Sequence, residues 1–467
     1  MVHQYRNNGY NIVLDVNSGS VHVVDELVWE AIPLIEPLVN EGIRDPATVR
    51  AAVQGILDPS YPPEEVAEAV DEVLELAREG RLFAPDAYRN DLAAFKSRKT
   101  VVKALCLHVA HDCNLACRYC FAGEGEYRGK RALMSFEVGK KALDFLVQNS
   151  GKRRNLEVDF FGGEPLLNWQ VVKRLVEYGR SLEEPWDKNF RFTLTTNGIL
   201  LDEEILEFLN REMANVVLSI DGRKDVHDEM RPLRGGQGSY DRILPKFLEV
   251  AKSRGGKDYY VRGTYTHDHT DFSKDVLHLA DLGFDRISVE PVVAGADKGY
   301  AITEADLPKL KEEYDRLAVA MLAREKEGKG FCFFHFMIDL TGGPCVAKRL
   351  SGCGSGTEYL AVTPWGDFYP CHQFVGNEKF RMGNVDAGLV RTDLREEFKA
   401  CNVYARSKCR KCFARFYCGG GCAANAYQFH GDLREVYEIG CELQKKRVEC
   451  ALMIRAAGMS QPGIAGG

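Results

Sequence analysis

At 467 residues, 45% of them hydrophobic and 28% charged, the chain exceeds one ordinary core at roughly 100–200 residues per domain, which excludes a single small binding module. No apolar run nears the roughly 18 residues that span a bilayer, and MVHQYRNNGY shows neither a secretory nor a transit pattern, so no membrane and a cytoplasmic address are expected. The net charge of -7 is uneven: residues 1–97 hold 7 Lys and Arg against 17 Asp and Glu, a local -10 that would repel nucleic acid phosphates.

Residues 1–97 read as a small α+β unit. Asn11 to Val16 alternates apolar and polar, Asn17-Ser18-Gly19-Ser20 punctuates it, and Val21 to Val24 resumes, which is a hairpin pattern. Helical periodicity follows over Glu26 to Val39 and Pro63 to Gly80. Hairpin plus helices predicts a winged-helix-like domain.

From about Val101 the pattern alternates strand and helix six times. The strands are Ala104 to Ala110, Leu156 to Phe161, Phe190 to Thr195, Asn215 to Ile220, Tyr259 to Tyr265 and Arg286 to Val292, with amphipathic stretches such as Ser135 to Gln148 and Tyr240 to Lys252 between them. Such alternation implies a parallel sheet with right-handed crossovers, so the fold class is α/β, a partial (β/α)6 TIM-like barrel over 98–330. Beyond a charged helix from Thr303 to about Glu327, residues 331–455 are Gly-rich with little periodicity, and 456–467 read as a disordered tail.

Of the 15 cysteines, none precedes Cys106, four lie between Cys106 and Cys120, and the other eleven lie at or after Cys332. A reducing cytosol keeps disulfides open, so clustered thiols read as metal ligands first. Cys113, Cys117 and Cys120 form C-x3-C-x2-C after the first barrel strand. Structural zinc usually draws on paired C-x2-C units, whereas three thiolates suit three corners of a [4Fe-4S] cube, leaving one iron for an exogenous ligand. Gly162-Gly163-Glu164-Pro165, Thr195-Thr196-Asn197-Gly198 and Ser219-Ile220-Asp221-Gly222 follow the next three strands, and ligand sites of α/β barrels are built at such strand ends.

Residues 101–330 thereby resemble the radical S-adenosylmethionine enzymes, with Tyr119 at the family's aromatic position. The resemblance implies that S-adenosylmethionine binds the open iron. Its amino group would meet Gly162, Gly163 and Glu164, while Asn197, Ser219, Asp221 and Arg231 would hold its ribose and carboxylate. Backbone carbonyls exposed by a glycine pair suit an ammonium, and an Arg fork suits a carboxylate. Arg231 reads equally well as a solvated loop arginine, and Arg262 is as open a case.

A second pattern, Cys353-x12-Gly366-x4-Cys371, then Cys409-x2-Cys412-x5-Cys418-x3-Cys422-x18-Cys441, matches the seven-cysteine SPASM arrangement found behind many radical S-adenosylmethionine domains. By resemblance, one auxiliary [4Fe-4S] cluster would use Cys409, Cys412, Cys418 and Cys441. The other would use Cys353, Cys371 and Cys422, with Cys345 the candidate fourth ligand. If Cys345 does not reach, a substrate thiolate could take the open iron. Cys106 reads as a small core residue, Cys332 as part of an apolar segment, and His111 and His372 as hydrogen-bonding neighbours of cluster cysteines.

The acidic residues 1–97 are similar to the recognition elements that hold leader peptides of ribosomally made precursors, where an added strand lies along a hairpin edge. Stretches YNIVLDVNSGSVHVVDELVWEAI and GCGSGTEYLAVTPWGDFYPCHQFVG resemble the maturases of six-cysteine SCIFF peptides. That resemblance implies an enzyme forming thioether bonds between cysteine sulfur and carbon, with three [4Fe-4S] clusters, reductive cleavage of S-adenosylmethionine to a 5'-deoxyadenosyl radical, a cysteine-rich precursor peptide as partner and an external low-potential electron donor. The alternative within the class is formylglycine formation on sulfatases, and outside it a non-catalytic electron carrier or zinc scaffold.

Overall fold

The computed structural model describes residues 1–90, 92–127, 129–338 and 346–459. Three antiparallel strands open the chain, β1 (Val2–Asn7), β2 (Tyr10–Asp15) and β3 (Val21–Val24). Asn8 and Gly9 turn β1 into β2 with φ of 50° and 83°, the two left-handed positions that a tight hairpin turn requires. The sequence pattern predicts only the second hairpin. β1 is polar (His3, Gln4, Arg6, Asn7) and pairs with a partner instead of showing an apolar alternation of its own.

Helices α1 (Glu26–Asn40), α2 (Pro46–Gln54) and α3 (Pro63–Arg78) pack beneath. Asp25 caps α1 by accepting Val28 N, and Asp45 caps α2 by accepting Thr48 N, with Pro46 at the position where a missing N–H costs nothing. Val13, Ile32, Ile35, Val49, Val66 and Val70 close a core separate from the main one. α2 is a finding beyond the sequence expectation; its nine residues are too few for a clear period.

The barrel strands are β4 (Ala104–His111), β5 (Asn155–Gly162), β6 (Asn189–Thr196), β7 (Asn215–Ser219), β8 (Asp258–Tyr265) and β9 (Arg286–Pro291), each within two residues of the expected bounds. All pair in parallel in sequence order. Two further parallel strands extend the row, β10 (Cys332–Phe333) beside β9 and β11 (Tyr359–Val362) beside β4. The sheet then continues antiparallel through β12 (Asp367–Tyr369), β13 (Gly383–Asn384) and β14 (Gly388–Leu389). A single sheet therefore runs across the expected boundary at 330.

The cysteine-rich region is more helical than its pattern suggests. Its last helix, α4 (Glu438–Met459), packs against the helix Leu307–Lys326 and against β1 and β2, and buries Cys450, Leu452, Met453 and Ala456. It takes up the first four residues of the expected tail; residues 460–467 lie outside the described residues. Cys106, in β4, is a buried core residue, as expected.

Candidate cofactor site

β4 delivers the chain into the loop that carries Cys113, Cys117 and Cys120, and β5 delivers the glycine pair against it. Gly162 has φ 129°, and a Cβ there would stand 2.2 Å from the Ala110 carbonyl oxygen; a Cβ on Gly163 would stand 2.1 Å from that of Asp112. Only glycine permits this crossing. Gly163 N and Glu164 N donate to the Ala110 and Asp112 carbonyls, both at 2.8 Å, so the two loops are stitched together. Tyr127 OH donates to Gly162 O at 3.0 Å.

Glu164 is buried and accepts from Leu166 N (3.0 Å), Thr196 Oγ1 (2.8 Å) and Asn197 N (2.8 Å). Burial pushes its carboxyl up to about 7, against the pull of those three donors. Asn197 donates through Nδ2 to Asn114 Oδ1 at 2.7 Å and points the same amide at Cys113 Sγ, 3.7 Å away.

Tyr119 and Arg231 converge on Asp221. The carboxylate accepts Tyr119 OH at 2.6 Å, Arg231 Nε at 3.0 Å and Thr264 N at 2.9 Å, and the guanidinium lies 5.4 Å from the Tyr119 ring centre. The Arg231 side chain is 13% exposed and that of Asp221 is 0% exposed, so the solvated-loop alternative for Arg231 does not hold. Nor does Asp221 face the cavity. It stands behind the wall and orients the two residues that do.

A cavity of about 250 Å³ is lined by Cys113, Cys117, Tyr119, Cys120, Gly162, Gly163, Glu164, Asn197, Ser219 and Arg231, all of them expected from sequence. Sequence reasoning missed Glu290, at the end of β9, which pairs with Arg262 of β8 at 2.8 Å inside the same cavity. Its signal was a charged residue at a strand's C-terminal end. His372 and Gln373, from the cysteine-rich region, complete the wall. His111 Nε2 meets His108 Nδ1 at 3.0 Å and stacks on Tyr127, and His372 packs against Phe121 and Phe161.

Every described cysteine is a free thiol. Three thiols on one loop beside a cavity are the donor set a cubane takes when one iron is left for a small molecule, whereas structural zinc is usually four-coordinate.

Seven of the remaining cysteines fall into two groups. Burial, then the Cys422 and Cys353 thiols, pushes Cys371 up to about 12; burial, then Cys418, Cys409 and Cys412, does the same to Cys441. Cys345 lies outside the described residues. Gly419, Gly420 and Gly421, all at positive φ (69°, 96° and 76°), carry the chain between the groups, and the amides of Gly420 and Gly421 face Cys418. A second cavity of about 330 Å³, lined by Cys418, Cys422 and Cys441, shares the Glu290, Pro291 and Val293 wall with the first.

Comparison with known proteins agrees with this geometry. Residues 107–283 match the sequence model of the radical SAM superfamily. The chain is 27% identical over 380 residues to the radical SAM cyclopropyl synthase TigE of Paramaledivibacter caminithermalis, covering 74% of this chain and 72% of that protein. It is 25% identical over 332 residues to a cysteine-type anaerobic sulfatase-maturating enzyme of Clostridium perfringens, covering 66% and 85%. Among solved structures, Streptococcus suis SuiB bound to precursor peptide SuiA superposes over 91% of this chain and 95% of that one, with a TM-score of 0.50 and 17% identity. Residues 107–283 are a radical SAM domain, set in a chain related to a cyclopropyl synthase and to a sulfatase-maturating enzyme.

Proposed function

We propose that the protein is a radical S-adenosylmethionine peptide maturase with three [4Fe-4S] clusters, which joins cysteine sulfur to carbon in a SCIFF-type precursor peptide whose leader is held by residues 1–97. The bound cluster and S-adenosylmethionine supply reductive cleavage to a 5'-deoxyadenosyl radical. The chain's own residues bind and orient. Glu164 offers a carboxylate to the ammonium, Asn197 and Ser219 offer polar contacts, and Arg231, aimed by Asp221, offers its guanidinium to the carboxylate. His372 and Gln373 wall the cavity against water. Cys353, Cys371 and Cys422 would hold one auxiliary cluster, with Cys345 or a substrate thiolate completing it, and Cys409, Cys412, Cys418 and Cys441 the other.

The observation that carries the peptide reading is the free edge of β3. It borders a groove of about 260 Å³ in which Val21, Val23, Val28, Ile32, Val73 and Leu76 alternate with His22, Glu72 and Arg81, and an extended segment laid there gains main-chain hydrogen bonds and side-chain pockets together. The local charge of -10 suits a basic leader better than nucleic acid.

The test is anaerobic reconstitution with a six-cysteine precursor, its leader attached, under dithionite. Each thioether removes two hydrogens, one from carbon and one from sulfur, and the mass falls accordingly. Roughly twelve irons should fall to about eight in a Cys113/Cys117/Cys120 triple-alanine variant, with cleavage to 5'-deoxyadenosine abolished. Zinc in place of iron, or cleavage that survives the variant, overturns the reading. The second reading, formylglycine formation, is favoured by the sulfatase-maturating relative; a sulfatase-derived peptide turned over without any leader would select it.

A further inference from the structure

Arg406 is 3% exposed and donates three hydrogen bonds, all to backbone carbonyls: Nη1 to Gly420 O (2.6 Å) and Glu435 O (2.9 Å), Nη2 to Leu433 O (2.9 Å). Its Nε–H is buried without a partner. Among the described residues no carboxylate lies within ion-pair distance of it: Asp432 acts on it only from farther away, and the side chain that meets it is the Cys401 thiol. A buried cation without an anion is strongly disfavoured, and buried charges are paired or they do not persist. The missing anion is indicated by position. Arg406 lines the second cavity together with Cys418 and Cys441 of one cysteine group and Cys422 of the other.

We propose that Arg406 is the shared counter-charge of both auxiliary clusters, donating its free Nε–H toward cluster sulfur and raising both reduction potentials. The inference rests on the three-cluster reading above and adds a positioning role that the ligand pattern does not contain. Reduction of a cubane adds one electron and one negative charge, so a fixed cation nearby stabilises the reduced form, and an N–H directed at sulfur acts in the same sense. The three carbonyl bonds hold the fork rigid, so one residue serves two clusters from a fixed point.

The experiment compares wild type, Arg406→Gln and Arg406→Lys, each full length and anaerobically reconstituted. Iron and sulfide are counted first, then each cluster is titrated by electron paramagnetic resonance against potential. In Arg406→Gln both auxiliary signals should move to more negative potential while the cluster on Cys113, Cys117 and Cys120 stays in place, and Arg406→Lys should restore most of the shift. Unmoved auxiliary signals, or all three moving alike, overturn the proposal. If Arg406→Gln loads no auxiliary iron, Arg406→Lys decides: near wild-type potentials support the shared counter-charge, and loss of iron there too makes Arg406 a structural tie only. A wild type with no auxiliary iron instead removes the three-cluster reading itself.

Discussion

Replacing Asp221 by asparagine removes one charge and almost no volume, and the structure says where the cost falls. Asp221 accepts Tyr119 OH, Arg231 Nε and Thr264 N, so the substitution leaves the 13%-exposed Arg231 guanidinium without its anion and turns one acceptor into a donor. Removing one partner of a buried pair costs about 3–5 kcal/mol, most of it the stranded charge. The cofactor cavity is affected as well, because Tyr119 and Arg231 both line it and are aimed from behind by this carboxylate. Asp221→Asn should therefore lower the melting temperature and weaken S-adenosylmethionine binding by more than tenfold, read by isothermal titration on the reconstituted protein. The double variant Asp221→Asn/Arg231→Met should be less destabilised than Asp221→Asn alone, because the stranded charge is gone. Strictly additive effects, or an Asp221→Asn protein that melts and binds as wild type does, would refute this account of the pair.

Gly163→Ala brings a Cβ to 2.1 Å from the Asp112 carbonyl where ordinary contact begins at 3.4 Å, so the cluster loop must retreat by roughly 1 Å. A displacement of that size near reacting groups costs on the order of 100-fold in turnover, measured as 5'-deoxyadenosine formed per minute, while Gly299→Ala, with open space around it and no left-handed backbone, should fold and turn over normally. Glu164 predicts a pH dependence. Its folded pKa, about 7, lies above the ordinary 4.5, so the folded protein holds a proton that the unfolded chain releases; the stability this contributes is full below about 4.5 and lost as pH rises through about 7. At 1.36 kcal/mol per unit the ceiling is about 3 kcal/mol, and Glu164→Gln should flatten the fall in melting temperature between pH 5 and 8. Arg415, with a 5%-exposed side chain, binds Asn17 and Asp86 and so ties the N-terminal unit to the loop between Cys412 and Cys418. Arg415→Met should speed hydrogen exchange in β2, β3 and the segment around Asp86 while leaving the barrel strands protected.

The barrel was legible because its signals are local. Six apolar strand runs alternating with amphipathic helices, and motifs at strand ends, are each written within a few residues, and the cysteine spacings are arithmetic on the chain. The same locality explains the strands and helices that escaped. β1 is polar and exists through its partner, α2 has nine residues, and β10 and β11 have two and four. Each is stabilised by pairing or packing with residues distant in sequence, which no window of the chain contains.

Side-chain partnerships divide in the same way. That three thiols and a glycine pair belong to one site follows from the sequence and the logic of a parallel barrel, whereas the place of Arg231 in it needed the structure. That Asp221 stands behind the cavity, that Glu290 meets Arg262 within it, and that Arg406 faces cysteines from both auxiliary groups was decided only by the tertiary structure. Orientation depends on which neighbours a side chain finds across separations of tens to hundreds of residues. His3 meets Glu449 at 3.0 Å and Asn17 meets Arg415 at 2.6 Å, so the N-terminal unit is wired to the C-terminal region. Hydrogen-bond geometry at that range is set by how the layers pack, and packing is a property of the whole fold and not of any stretch of it.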